Sequence, residues 1–273
     1  MIAAVIQMNS TADRAANLAQ AEELLRRAGR EGAALAVLPE HFSFMQSEGR
    51  RPPAPEGLDG PLVSWLGGLA RKLGLWIVGG SFSRRAPGGR RVYNTCPLLD
   101  ASGRLAAHYS KTHLFDLNLP GRPALSESTH TRPGQRLAVA ETPLGPLGLS
   151  ICYDLRFPEL YRRLRLKGAL HLAAPSAFTR ATGQAHWEML VRARAVENAC
   201  SVLAAAQEGD HGGGRASFGR AMIVGPWGDI LAECPPGPGV ALARVDAELV
   251  LGSRRKLDST AHARLLPAAW RED

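Results

Sequence analysis

Three ionisable side chains in this sequence follow short apolar runs. In ALAVLPEHF, Glu40 comes two residues beyond Leu38; in HYSKTHLFD, Lys111 lies in a polar segment after the run at 92–99; in GLSICYD, Cys152 follows Leu147, Leu149 and Ile151. Strand ends are where open α/β sheets present catalytic groups. Together the three side chains meet the needs of one chemistry. A thiol must lose its proton to attack an amide or nitrile carbon, and the negative charge that develops there must be stabilised. A glutamate serves as the base and a lysine as the fixed positive charge. Desolvation is expected to raise a partly buried glutamate toward neutrality, which suits proton shuttling, and an ammonium beside the sulfur is expected to favour thiolate. Each residue also has a plainer reading. Strand-end glutamates are common, and a cysteine in such an apolar run is more often a core residue than a nucleophile.

The elements that must carry these groups can be read from periodicity. Strand-length apolar runs occur at Ile2 to Met8, Ala34 to Leu38, Leu75 to Phe82, Leu147 to Cys152, Ala169 to Ala174, Ser201 to Ala206 and Ala221 to Val224. Between them lie helical patterns. Leu18, Ala21, Leu24, Leu25 and Ala28 share one face; Pro61 to Leu73 ends at Gly74; Pro158 to Lys167 ends at Gly168; and Trp187, Leu190, Val191, Ala195 and Asn198 mark a further helix. Strands alternating with helices, without a linker-like stretch, predict a single α/β domain over residues 1–273. EGDHGGGRAS, near 208–217, reads as the most flexible segment, and CPPGPG, near 234–239, as a turn. The Gly-rich segment has neither GxxxxGKS nor GxGxxG spacing, which argues against a phosphate cradle.

Composition narrows the class. The chain has 273 residues, 45% hydrophobic and 21% charged, as in an ordinary globular protein. MIAAVIQM lacks a basic leader and reads as a strand rather than a signal peptide, and no apolar run approaches membrane-spanning length. A cytoplasmic protein with no membrane association is therefore expected. The four cysteines form no CxxC pair, against a zinc ribbon or a disulfide framework. The net charge of +8 is spread over short arginine pairs, which reads as a solvated surface that attracts small anions rather than as a nucleic-acid site. Among 33 basic residues only Lys72, Lys111, Lys167 and Lys256 are lysine, which raises at each the question of what an arginine could not do there.

LPEHF, YSKTHLFD and GLSICYDLRFPELYR, in that order, resemble the three signature regions of the nitrilase, or carbon–nitrogen hydrolase, superfamily. PSAFTRATGQAHWEMLVRARAVENAC, AAAQEGDH and MIVGPWGDILAE extend the likeness from Ala3 to about Val245, most closely to the branch that contains deaminated-glutathione amidase. The resemblance implies a four-layer α-β-β-α sandwich. It implies Cys152 as nucleophile, Glu40 as general base and later acid, and Lys111 as the charge facing the oxyanion. It further implies that Glu127, in PALSESTH, helps place substrate and lysine, and that the Tyr153 N–H completes the oxyanion site. The reaction would pass through a thioester and need no metal or organic cofactor. The substrate would be a small anionic amide: deaminated glutathione, or alternatively α-ketoglutaramate or an N-carbamoyl amino acid. A homodimer or larger homo-oligomer would form across helices that follow the cysteine strand.

Other assignments stay open at this level. Asp154 and Arg156 form an ion pair, or Arg156 instead holds its loop or meets a substrate carboxylate. Phe178 and Thr179 line the pocket, or Phe178 packs in the core, as does Trp187. His41, His108, His113 and His130 keep a Cys–His hydrolase as the rival mechanism. Relatives differ at His41, Arg220, Gly225 and the tail at 266–273, positions that bear on substrate choice and assembly rather than on the reacting groups.

Overall fold

A computed structural model describes residues 1–45, 53–88, 91–117, 125–265, 267 and 270 of the chain. The tail at 266–273 lies outside these residues except at Pro267 and Trp270. Two mixed sheets form the centre. One runs Arg215–Phe218, Ala206–Gly212, Ile2–Met8, Ala33–Val37, Trp76–Val78, Val92–Leu99 and Phe82–Arg85, with Gly239–Arg244 also paired to Ile2–Met8 and Leu105–Ser110 to Val92–Leu99. The other runs Ile230–Glu233, Met222–Val224, Ser201–Ala204, His171–Ala173, Leu147–Leu149 and Val139–Ala140.

The first strand shows how the layers arise. Successive side chains of a strand point to opposite faces. Ala3 and Val5 are buried with Leu147, Leu149 and Val202 of the other sheet, while Ala4, Ile6 and Met8 are buried with Ala21, Leu25, Leu66 and Ala70. Ala21 and Leu25 belong to α1 (Arg14–Arg30), and Leu66 and Ala70 to α2 (Pro61–Leu73). On the far side, α3 (Pro158–Leu166) and α4 (Arg180–Asn198) cover the second sheet through Leu164, Trp187 and Val191. The expected α-β-β-α sandwich is the result, with each full burial of a Val, Leu or Ile worth roughly 1.5–3 kcal/mol.

Helix boundaries follow local chemistry. The Asp13 carboxylate accepts from Ala16 N at 3.0 Å and starts α1. Gly74, at φ 62°, ends α2 as expected. A short helix, α5 (Ala247–Lys256), capped by Asp246 on Leu249 N at 3.1 Å, follows the last strand and was not anticipated.

Three expectations change. The run Leu75 to Phe82 is two strands, Trp76–Val78 and Phe82–Arg85, because the chain turns at Gly79 and Gly80. Gly80 has φ 55°, and a Cβ there would lie 2.2 Å from the Pro39 carbonyl oxygen, so this turn must be glycine to pass the segment carrying Glu40. The run Ser201 to Ala206 changes sheets: Ser201–Ala204 pairs in the second, and Ala206 onward pairs with Gln7 and Met8 in the first. The segment read as flexible is the hairpin Ala206–Gly212 and Arg215–Phe218, locked to the molecule by its pairing with the first strand.

His171 lies fully buried at the start of its strand. Its Nε2 is 2.9 Å from the Leu144 carbonyl, which can only accept, so Nε2 carries the proton; Nδ1 is buried and has no partner among the described residues. Burial holds the imidazole at about 4, below its ordinary 6.5. Between these values the unfolded chain binds a proton that the folded chain does not. Stability is therefore full above the ordinary value and is lost as pH falls from there toward the folded value, by at most on the order of 3 kcal/mol. Thermal melts at about pH 7 and about pH 4.5 should show a smaller acid-induced drop for His171→Gln, which can still donate to Leu144, than for the wild type. Equal drops would remove His171 as a source of acid sensitivity.

Candidate active site

The structure brings Glu40, Lys111, Glu127 and Cys152 together from four separate segments. Glu40 follows the strand Ala33–Val37, and its carbonyl accepts from Gln207 Nε2 at 3.0 Å. Lys111 follows Leu105–Ser110; its N–H donates to Asn94 O and its carbonyl accepts from Gly134 N, both at 2.8 Å. Glu127 opens a 3-10 turn, Glu127–Thr129, held by a two-stranded ribbon of Asp116–Leu117 and Leu125–Ser126. Cys152 begins another such turn, Cys152–Arg156, so the paired strand ends at Leu149 rather than at the cysteine. There the backbone swings to φ 48°, which lifts the sulfur out of the strand direction.

Lys111 Nζ lies 3.0 Å from Glu40 Oε1 and 2.9 Å from Glu127 Oε2. Asn94 Nδ2 donates to the same two carboxylates, at 2.9 Å to Glu40 and 3.3 Å to Glu127, and Phe115 N donates to Glu127 Oε2 at 2.8 Å. Lys111 and Glu40 are only 2% and 3% exposed, and Cys152 only 8%. The Cys152 thiol is within hydrogen-bonding reach of the Glu40 carboxylate, and Ala177 N donates to Sγ at 3.5 Å.

The electrostatics reverse two expectations. Burial pushes the Glu40 carboxyl up, but Lys111, then His41 and hydrogen bonds from Cys152 and Lys111, outweigh it and hold the group at about 2. It is a carboxylate at rest rather than an acid poised near neutrality. Burial also pushes the Cys152 thiol well above its ordinary range, and the charge of Glu40 adds to this; Lys111 opposes both without overcoming them. The resting sulfur is a thiol, not a preformed thiolate. Burial would lower Lys111, yet Glu40 and Glu127 hold it above its ordinary value, so it stays charged. The arrangement is therefore a thiol beside a carboxylate beside an ammonium, in which a proton moves only when something draws charge from the sulfur.

The remaining residues lie on the cysteine turn or at the start of α4. The Tyr153 ring meets Phe115 and Phe157 edge-on, with centroids 5.0 and 5.3 Å away. As second residue of its turn, Tyr153 has one of the N–H groups that helix starts leave without an internal acceptor. The Arg156 guanidinium lies over the rings of Tyr153 and Phe178, at 5.8 and 5.4 Å, and donates to His186 Nδ1 at 3.3 Å. The anticipated Asp154–Arg156 ion pair is not made. Asp154 pairs instead with His113, Oδ1 to Nδ1 at 2.7 Å, while Arg156 lies over the Tyr153 and Phe178 rings. Phe178 is buried edge-on against Trp187, 5.1 Å between centroids, and Thr179 is the N-cap of α4, its hydroxyl accepting from Thr182 N.

His41 approaches Glu40 at 3.9 Å, but among the described residues the polar partners of the sulfur are Glu40 and the Ala177 N–H, with no histidine. Asn94 is the residue that sequence reasoning missed. Its only signal was a polar Asn94-Thr95 pair inside the apolar run at 92–99.

Known proteins share this architecture. The chain matches the carbon–nitrogen hydrolase family over residues 2–255. It is 44% identical over 272 residues to a human deaminated glutathione amidase, covering 96% of this chain and 82% of that one. The crystal structure of the C. elegans NitFhit protein superposes with a TM-score of 0.88 at 38% identity, covering 96% of this chain and 65% of that longer one. An amidase from Nesterenkonia sp. AN1, solved as a mutant with the acetamide moiety of fluoroacetamide covalently added at its active site cysteine, aligns with a TM-score of 0.74 at 28% identity over 94% of this chain and 95% of that one. The chain belongs to the carbon–nitrogen hydrolase family.

Proposed function

We propose that the protein is a thiol amidase in which Cys152 is the nucleophile, Glu40 the general base and acid, and Lys111 the oxyanion cation. The observation that carries this reading is the convergence of a thiol, a carboxylate and an ammonium in one buried cluster. As sulfur attacks the amide carbon, its proton passes to Glu40, and the carbonyl electrons move onto oxygen beside Lys111 and the Tyr153 N–H. When the tetrahedral adduct collapses, the C–N bond breaks and Glu40 returns the proton to nitrogen, releasing ammonia and leaving a thioester. Glu40 then takes a proton from water, which attacks the thioester carbon; the C–S bond breaks and the proton returns to sulfur, giving the carboxylic acid and the starting thiol. A Glu40 held at about 2 is a weak base in the resting site, so attack depends on the developing oxyanion drawing Lys111 toward itself and freeing Glu40 to hold the proton.

The substrate we assign is deaminated glutathione, the compound named for relatives at 44% identity. An anionic amide suits a chain of net charge +8. Arg156, half-buried between Tyr153 and Phe178, supplies the cation for a substrate carboxylate, Glu127 holds Lys111 and faces the substrate, and Phe178 and Thr179 stand beside Arg156 at the start of α4. The outer face of α4 exposes Met189 and Val196 beside Trp227, around a cleft of about 550 Å³ that Cys152 does not line. This face is our proposed surface for a homodimer or larger homo-oligomer. Among the described residues no helix is long and apolar enough to cross a membrane. All four cysteines are buried free thiols, which suits a cytoplasmic enzyme.

Ammonia release from deaminated glutathione, α-ketoglutaramate, a simple aliphatic amide and an N-carbamoyl amino acid tests the assignment, with Cys152→Ala as the blank. Deaminated glutathione should react fastest. Release from none would sink the amidase reading, and release from the carbamoyl compound alone would move the protein to another branch. Lys111→Arg should lose nearly as much activity as Lys111→Ala, because a planar guanidinium does not fit between two carboxylates and one oxyanion; retention of most activity would refute that role.

Lys111→Met should destabilise the fold by about 3–5 kcal/mol near neutral pH, since it leaves the buried Glu40 and the half-buried Glu127 carboxylates without their cation. Burial then raises Glu40, so the folded variant binds a proton that the unfolded chain does not hold. Its deficit should therefore shrink as pH falls toward about 5. Urea denaturation at both pH values checks this, and an unchanged midpoint would contradict the electrostatic account.

A further inference from the structure

Asp154 has no part in the chemistry above, yet it is fully buried and accepts four hydrogen bonds. Oδ1 takes His113 N at 3.1 Å and His113 Nδ1 at 2.7 Å; Oδ2 takes Tyr109 OH at 2.8 Å and Ile151 N at 2.9 Å. The donors come from two places in the chain. Tyr109 and His113 stand two residues before and two residues after Lys111, and Ile151 immediately precedes Cys152. Tyr109 OH also accepts from Thr112 N at 3.1 Å and lies 3.0 Å from Thr112 Oγ1, so the chain on the far side of Lys111 is tied to the same carboxylate. His113 in turn stacks on Phe157, ring centroids 3.7 Å apart and nearly parallel, which closes the grip onto the end of the cysteine turn.

We propose that Asp154 is a positioning residue that fixes the Lys111 ammonium relative to the Cys152 sulfur. The two groups sit on different elements. Lys111 follows a strand of the first sheet, whereas Cys152 follows a strand of the second. Small slips between the sheets would separate the oxyanion cation from the carbon under attack. One carboxylate that accepts from both flanks of the lysine and from the residue before the cysteine removes that freedom. It also stabilises the left-handed backbone at Cys152, because Ile151 N is held by a side chain three residues ahead while Asp154 N returns to Ile151 O at 3.1 Å. An ionised carboxylate suits this role, since it offers acceptors in every direction that four donors need, whereas an amide would turn one donor against another.

The inference rests on the roles assigned above to Cys152 and Lys111. Steady-state ammonia release from deaminated glutathione tests it in Asp154→Asn, Tyr109→Phe, His113→Leu and His113→Asn, with Cys152→Ala as reference and circular dichroism to confirm folding. A positioning role acts on the transition state, so Asp154→Asn should lower kcat about 100-fold while KM stays within about threefold. Tyr109→Phe and His113→Leu should each lower kcat about tenfold, and His113→Asn, which keeps a donor near the place of Nδ1, should recover most of the loss. A kcat for Asp154→Asn within about twofold of wild type, a loss confined to KM, or an asparagine at position 113 no better than leucine would overturn the proposal. If Asp154→Asn does not fold, the Tyr109 and His113 variants decide by the same criteria. Activity surviving in Cys152→Ala would instead sink the nucleophile assignment, a result distinct from wild-type turnover in Asp154→Asn with Cys152→Ala inactive.

Discussion

Burying the Lys111 ammonium costs several kcal/mol in lost hydration unless opposite charge meets it where it lies. Glu40 and Glu127 do so at 3.0 and 2.9 Å, from positions 71 and 16 residues away in the chain. The fold must therefore hold three separate segments in register for this one ion cluster to form. Asn94 and the Phe115 N–H help by donating to the carboxylates, which leaves fewer lone pairs unmatched in a low-dielectric interior. Burial raises the Cys152 thiol beside this cluster, and the charge of Glu40 raises it further. A thiolate is disfavoured there, so reactivity has to be created by the substrate rather than stored in the resting protein.

The same demand shapes the backbone. His41 and Cys152, each following a strand end, both lie in the left-handed region, at φ 57° and 48°. For a non-glycine residue such a conformation costs on the order of 1–3 kcal/mol and persists only where the surroundings hold it. Cys152 N donates to Pro175 O at 2.9 Å, and Gly80 lets the chain pass against Pro39 just before Glu40. In both places the left-handed backbone bends the chain just beyond a strand end. The sandwich thus supplies rigidity in its paired strands and uses it to support two bent residues at the reacting edge.

The proposed reacting groups are legible in the sequence because each follows an apolar run within a recognisable signature, and Gly74 and Gly168 mark helix ends by local rules alone. Other features depend on contacts far apart in the chain. The passage from one sheet to the other near Ala205 is decided by pairing with Gln7 and Met8, 199 residues away in the chain, and a glycine-rich stretch looks mobile until that pairing is known. Asn94 reads as one more strand residue until its donors are seen to meet two carboxylates. The direction of the Glu40 shift is not legible in the sequence, for a physical reason. Burial alone raises a carboxyl, and only the distance to Lys111 tells which of the two effects is larger.

A resting thiol activated only during attack is the central claim, and the ultraviolet absorbance of thiolate measures it directly. Burial raises Cys96, Cys200 and Cys234 above the ordinary thiol value, so none of them adds thiolate signal near neutrality. The difference in absorbance near 240 nm between wild type and Cys152→Ala, followed from about pH 5 to about pH 9, should stay flat without substrate, because Cys152 titrates above its ordinary value. A thiolate appearing in wild type at or below about pH 7 would contradict the account, since the sulfur would then be ionised before Glu40 had any proton to accept.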